Sequence, residues 1–285
     1  SLVTEMSDIK EYLYKKKILV EDYLRKIFIE RNLSGGILAQ AIEYSLFTGG
    51  KRFRPVLCLA TSEAVGGKDE IVLPAACAIE LIHNYSLIHD DLPCMDNDDY
   101  RRGQLTCHRK FDEPTALLAG DGLLTLAFEV LSCNYISSSA GNVLHTINEI
   151  AFAAGISGMV GGQVIDLTCN QETVEGLENL HKMKTGALIR VSVRAGALLN
   201  LASEECLSLL TVYAENLGLA FQIMDDVLDF DKDKLKNSFL SVYNQEEAKR
   251  KVHELTEEAV KSLEPLGKKA ERLRQIAWYL SDRKF

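Results

Sequence analysis

Apolar residues recur at helical spacing along almost the whole chain. Met6, Ile9, Leu13, Ile18, Leu24 and Ile27 stand mainly three or four positions apart with charges between them, which predicts a helix over 6–30. Asn32 to Gly36 breaks the run. A second helix is predicted over 36–47, ending at Gly49-Gly50. Arg54-Pro55 opens a third, because proline fits a first helical turn, and Gly66-Gly67 stops it. A long helix follows at 70–91, which Pro93 closes or kinks. Asp112-Glu113-Pro114 starts another, running into TALLAGDGLLTLAFEVLSCNYI. Further helices are expected over 141–164, 171–200, 203–230, 246–263 and 266–282. Strand-type alternation is essentially absent. The pattern predicts an all-α protein of about ten helices, organised as one domain over 1–285.

Composition narrows the class. A single core of 285 residues is near the upper limit, since cores stop growing at roughly 250–300 residues. With 47% hydrophobic residues, 26% charged and five prolines, there is little room for disorder. The formal charge of -9 argues against a general nucleic-acid partner, while leaving room for a local basic site for a small anion. Seven scattered cysteines without a CxxC pair read as reduced thiols rather than a disulfide frame or zinc site. The N-terminal SLVTEMSDIKEYLYKKK lacks a signal-peptide core. Glu80, Asp121 and Glu129 interrupt the longest apolar stretches, so no membrane-spanning segment and a cytoplasmic location are expected.

Two aspartate clusters carry the chemistry. HDDLPCMDNDD holds Asp90, Asp91, Asp96, Asp98 and Asp99, and QIMDDVLDFD holds Asp225, Asp226, Asp229 and Asp231. Asp225 and Asp229 share a helix face, with Gln222 about a turn earlier, and His83 lies on the face of Asp90. Pro93 supplies a break that brings Asp96 back towards Asp90. Both clusters interrupt strongly apolar helices, where adjacent carboxylates repel and lose solvation unless a cation neutralises them. Hard divalent ions such as Mg2+ take one or two carboxylates each beside substrate phosphates.

Basic residues are placed to match. Lys51 and Arg54 stand at the start of a helix in GGKRFRP, Arg101-Arg102 follows the first acidic cluster, and Lys184-Thr185 opens KTGALIRVSVRAG. Together with the acidic clusters they suggest grips for diphosphate, arginine through its planar fork and lysine as a point charge. His89 beside Asp90 raises an HD-type phosphohydrolase, but the remaining histidines form no metal-binding set. Neither a phosphate-binding P-loop nor a dinucleotide fingerprint occurs.

The runs GGKRFRP, LIHNYSLIHDDLPCMDNDDYRRG, LAGDGLLTLAFEVL, GGQVIDL, KTGAL and FQIMDDVLD, spread over 46–243, resemble the trans-isoprenyl diphosphate synthase (polyprenyl synthetase) family. The resemblance implies an all-helical bundle around a deep central cavity, usually a homodimer, with two aspartate motifs at its mouth. It implies three Mg2+ ions held through Asp90, Asp91, Asp96, Asp225, Asp226 and Asp229. Lys51, Arg54 and His83, with Arg102 helping, resemble the isopentenyl diphosphate grip. Arg101 resembles the allylic diphosphate contact, with Lys184, Thr185 and Gln222 on the same side, orienting the diphosphate and shielding the cation. Tyr85, five residues before Asp90 and followed by Ser86, resembles the bacterial farnesyl diphosphate synthases (geranyltranstransferases) and implies a limit on product length.

The expected reaction joins isopentenyl diphosphate head-to-tail to dimethylallyl or geranyl diphosphate, giving farnesyl diphosphate. The alternatives are a geranylgeranyl diphosphate synthase, a terpene cyclase, which needs no isopentenyl grip, or a non-catalytic synthase subunit. One departure stands out. DFDKD joins KLKNSF almost directly, so either the protein lacks the family's glycine- and lysine-bearing loop or this sequence omits it; Lys236 resembles its later lysine and the earlier one has no counterpart.

Overall fold

A computed structural model of the protein describes residues 2–132, 138–228 and 236–282. The helices, in chain order, are α1 (Leu2–Glu30), α2 (Gly36–Phe47), α3 (Phe53–Ala64), α4 (Asp69–Asp90), α5 (Cys107–Lys110), α6 (Glu113–Leu131) and α7 (Ala140–Ala154). They continue with α8 (Met159–Thr168), α9 (Val174–His181), α10 (Ala187–Leu198), α11 (Glu204–Leu228), α12 (Gln245–Ser262) and α13 (Glu271–Ser281). The helix starts follow local chemistry. Asp112 caps α6 by accepting the Thr115 N–H at 2.7 Å, and Asn244 and Glu247 form a reciprocal capping box on α12.

Two predicted helices are divided and a third is shortened. The 141–164 segment becomes α7 and α8, separated at Gly155–Gly158, where the Gly158 N–H turns back to the Gly155 carbonyl at 3.1 Å. The 171–200 segment becomes α9 and α10 joined through a π-helical turn, Lys182–Gly186. The last helix begins at Glu271 rather than 266, because a 3-10 segment, Glu264–Ala270, contains Gly267 at φ 61°. A two-residue antiparallel pair, β1 (Tyr100–Arg101) and β2 (Gln104–Leu105), also interrupts the all-helical pattern. Arg102 and Gly103 both have positive φ, 54° and 76°, as a tight two-residue hairpin turn requires. Strands of two residues are too short to leave an alternating signature.

The chain divides into two compact units: Ser1–Leu13, Leu57–Val72 and Ser137–Phe285 form the first, and Tyr14–Val56 and Leu73–Ile136 the second. In the first, α11 packs on α12 around Leu177, Leu219, Ile223, Met224, Val227, Phe239 and Val252, all buried. That cluster fixes the helix face that carries Asp225 and Asp226. In the second, α2 packs on α6, and Leu24, Leu46, Ile79, Ile82 and Leu123 are fully buried.

One expectation is corrected. Four segments, Asp69–Asp90, Glu113–Leu131, Ala140–Thr168 and Glu204–Leu228, are long and apolar enough by length and composition to cross a membrane. Single carboxylates do not lower the mean hydropathy of such windows sufficiently. In α4 the apolar window is 78% buried inside the protein, so its hydrophobicity is taken up by internal packing.

Candidate active site

In the second unit, Arg52 anchors the loop that carries the basic residues. Its fully buried side chain donates to Glu80 Oε1 at 2.9 Å, to Glu21 Oε1 at 3.2 Å and to the Leu46 carbonyl. Glu80 also accepts from Asn84 Nδ2 at 3.1 Å. Beyond this anchor Lys51 is exposed, and Arg54 places Nη1 3.4 Å from His83 Nε2. Arginine has only donors, so His83 Nε2 accepts and the imidazole proton sits on Nδ1. Burial, and then the charges of Arg54, Arg102, Arg101 and Arg52, lower the His83 pKa well below its usual 6.5, so the ring is neutral at pH 7. Arg102, on the hairpin turn, donates to the Gly49 carbonyl at 2.8 Å. The structure thus brings Arg54, His83, Arg101 and Arg102 into one electropositive neighbourhood.

The first acidic cluster folds back on itself after Pro93. The Asp96 N–H donates to the Asp90 carbonyl at 2.8 Å, Asn97 to Leu92 at 3.1 Å, and Asp98 to Asp91 at 3.2 Å. Asp91 is only 3% exposed. Both its oxygens accept from Arg101 Nε at 3.0 Å, and Oδ1 also takes Nη2 at 2.6 Å. Arg101 is therefore tied to an aspartate of the cluster.

Tyr85 is buried and its ring meets that of His89 edge-on, with centroids 5.5 Å apart. His89 Nε2 donates to the Leu117 carbonyl on α6 at 2.9 Å. The imidazole lies directly over Gly120, where a methyl group would stand 2.1 Å from Nε2, so only glycine allows this approach. Burial, and then the Asp90 charge, raise the Tyr85 pKa above its usual value. Ser86 bonds back along its own helix to the His83 carbonyl at 2.7 Å.

In the first unit, Asp226 is held by three donors: Gln222 Nε2 at 3.0 Å, Ser238 Oγ at 3.2 Å and the Phe239 N–H at 2.7 Å. Gln222 thus pairs with Asp226, one full turn on, rather than with Asp225. Asp225 is partly buried, and Asp229 lies outside the described residues. Lys184 and Thr185 sit partly buried in the π-helical turn, and Lys184 Nζ meets Asp166 Oδ2 at 2.5 Å. Gly162 permits this arrangement, since a methyl there would be 2.4 Å from the Lys184 backbone nitrogen. Burial alone would raise the Asp166 pKa, but Lys184 and the Asn237 amide outweigh it and leave the carboxyl below the usual range.

Among the described residues, no three Asp, Glu, His or Cys side chains form a closed metal cage. Mg2+ retains water and binds through one or two carboxylates together with substrate phosphates. The oxygen-only donors of Asp90, Asp96 and Asp225 are of the right chemistry; soft or nitrogen-preferring metals would want cysteine or histidine beside them.

Sequence reasoning missed Arg52, Asp166 and Asn237, and it weighed His89 only as an HD-type residue, without its bond to Leu117. Asp166 carried a readable signal, a carboxylate within the apolar run GGQVIDL. The others depend on partners 28 to 71 residues away and leave no local pattern.

Carboxylates and arginines gathered in this way are the charge types that diphosphate chemistry uses. Solved structures give the fold a family. An FPP/GFPP synthase from Zymomonas mobilis superposes with a TM-score of 0.84 at 38% identity, covering 94% of this chain and 99% of that one. A geranylgeranyl diphosphate synthase from Cyanophora paradoxa is 43% identical over 95% of each chain. The farnesyl diphosphate synthase of Bacillus subtilis is 44% identical over 79% of this chain and 77% of its own. Residues 36–238 match the family described as polyprenyl synthetase. The chain belongs to this trans-isoprenyl diphosphate synthase family, with its isoprenoid synthase helical fold, and is a prenyltransferase that condenses isoprenoid diphosphates.

Proposed function

We propose that the enzyme adds isopentenyl diphosphate to allylic diphosphates up to geranylgeranyl diphosphate. Support for the C20 product over the expected C15 comes from the relatives. Those named for geranylgeranyl diphosphate outnumber those named for farnesyl diphosphate, and two of them align over nearly the whole chain. The farnesyl reading stands second, favoured by the bulky, braced Tyr85.

The observation that carries the condensation is the neutral His83 beside Arg54, with Arg101 and Arg102 close by, next to the Asp90 loop. In this reading Lys51, Arg54, His83 and Arg102 hold the isopentenyl diphosphate. Arg101, Lys184, Thr185 and Gln222 orient the allylic diphosphate. Asp90, Asp91, Asp96, Asp225, Asp226 and Asp229 would hold Mg2+, with Arg101 on Asp91 and the Phe239 N–H on Asp226 setting the geometry of each cluster. Bound Mg2+ supplies the positive charge that draws electrons towards the leaving diphosphate. Lys184 and Arg101 neutralise diphosphate oxygens as the allylic C–O bond breaks and its electron pair departs with the diphosphate. The isopentenyl double bond then forms the new C–C bond, and a proton passes to a diphosphate oxygen. Thr185 and Gln222 present polar atoms that steady the cation until that bond closes. A homodimer suits this reading, with Leu117 and Leu118 of α6 exposed for a partner.

Chromatography of products made from dimethylallyl and isopentenyl diphosphates with Mg2+ tests the proposal. C20 as the end product supports it, accumulation of C15 favours the second reading, and no elongated product overturns both.

A further inference from the structure

Asn237 has no part in the reaction described above, yet its side chain is among the best-connected polar groups of the first unit. It is 4% exposed and adopts φ 56°, a left-handed conformation that asparagine tolerates better than most residues. Its Nδ2 donates to Asp166 Oδ1 at 2.7 Å, to the Asp166 carbonyl at 3.1 Å and to the Cys169 carbonyl at 3.2 Å. Its Oδ1 accepts the Gln171 N–H at 2.7 Å, and its own carbonyl accepts from His181 Nε2 at 2.9 Å. The residues that follow it, Ser238 and Phe239, are tied to Asp226.

The consequence falls on Asp166, whose two oxygens have different partners. Oδ1 takes the Asn237 amide and Oδ2 takes the Lys184 ammonium. A carboxylate held at one oxygen can swing about its χ angles, whereas one held at both keeps its plane and presents its second oxygen in a fixed direction. Lysine needs that direction, because its long stem has several rotatable bonds and its charge is not directional. A third residue that fixes the partner of a binding group is a recurrent device for pre-organising a site.

We propose that Asn237 is a positioning residue that acts through Asp166 to hold the Lys184 ammonium where it meets the allylic diphosphate. This rests on the reading of Lys184 as a diphosphate contact, so the test includes Lys184 itself. Steady-state kinetics with each substrate varied in turn are compared for wild type, Lys184→Ala, Asn237→Ala, Asn237→Asp, Asn237→Gly and the double variant Lys184→Ala/Asn237→Ala, each beside a thermal melt. Asn237→Asp keeps the acceptor for Gln171 but sets a carboxylate against Asp166, so it tests the contact by repulsion, and Asn237→Gly, which suits φ 56° and removes the amide, keeps the test open where Asn237→Ala fails to fold.

The expected result is a rise in allylic KM of about tenfold in the Asn237 variants, with the isopentenyl KM within about twofold of wild type. Once Lys184 is absent, removing Asn237 adds nothing further, the non-additivity of residues acting in series. An unchanged allylic KM in Lys184→Ala would bring down the reading of Lys184 and the inference with it. A raised KM in Lys184→Ala, combined with unchanged or independently additive Asn237 effects in folded protein, would overturn the inference alone. A purely structural asparagine would lower the melting temperature and leave the ratio of the two KM values untouched.

Discussion

At the scale of single residues, both aspartate pairs are proposed to hold the metal, and protein donors brace one member of each: Arg101 on Asp91 and the Phe239 N–H on Asp226. Asp90→Ala and Asp225→Ala should each cut turnover by about 100- to 1,000-fold or more, because each removes charge stabilisation at the developing leaving group. Wild-type-like rates in both, or full activity in excess chelator, would refute the metal role. Arg54→Ala tests the other substrate. Loss of one charged contact is worth roughly 2–4 kcal/mol, so the isopentenyl KM should rise far more than the allylic KM. An equal effect on both would mean that Arg54 belongs to neither site in particular. The identities of these residues were legible in the sequence because charges inside apolar helices are anomalous. Their commitments were not, since Asp91 meets Arg101 only through a hairpin that no hydrophobic period announces.

At the scale of elements, α4 and α6 form a brace around Tyr85. The ring leans on His89, and His89 leans on the Leu117 carbonyl above Gly120. On the farnesyl reading, Tyr85→Ala should lengthen the main product from C15 by one or more isoprene units, since a clash with the ring would cost a few kcal/mol. Gly120→Ala should shift length in the same direction but less, by pushing the imidazole away from Leu117 and so moving the ring. Product analysis beside a thermal melt separates this from simple loss of packing; a folded Tyr85→Ala enzyme with unchanged products would end the idea. Helix existence was readable almost throughout, because the three-and-four spacing of apolar residues is strong. The breaks at Gly155–Gly158 and at Lys182–Gly186 were not, because neither carries a proline and helix resumes directly after each.

For the whole molecule, acid acts through groups in both units. Burial and the neighbouring arginines lower the pKa of His83, and burial lowers that of His181 against the opposing pull of Asp226 and Asp166, while Lys184 and Arg194 outweigh burial to hold Asp166 and Glu149 below the usual carboxylate range. An unfolded histidine takes a proton near pH 6.5, where the folded one still refuses it, so the unfolded state binds more protons and stability falls as pH drops below that value. The depressed carboxylates act the same way at lower pH: their contribution is present above the unfolded value of roughly 4 and is lost as pH falls through the folded one. Denaturant midpoints should therefore decline in two stages on acidification, and His83→Gln should flatten the first. A midpoint independent of pH between about 7 and 5 would contradict this linkage.

The π-helical turn at Lys182–Gly186 has a consequence for how the protein tolerates change in length. Each residue of an α-helix turns the chain by about 100°, and a π-turn accommodates one residue beyond the regular count. Deleting Met183 would let α9 run into α10 as one continuous helix without a local gap. Lys184, however, would then face a different side from Asp166, and Gly162 would lie under a different backbone. Point substitutions on this segment test side chains one at a time, whereas a single deletion would rotate an entire set of contacts out of phase. Restoring function to such a variant would require a compensating insertion within the same few residues, a dependence on counting rather than on chemistry.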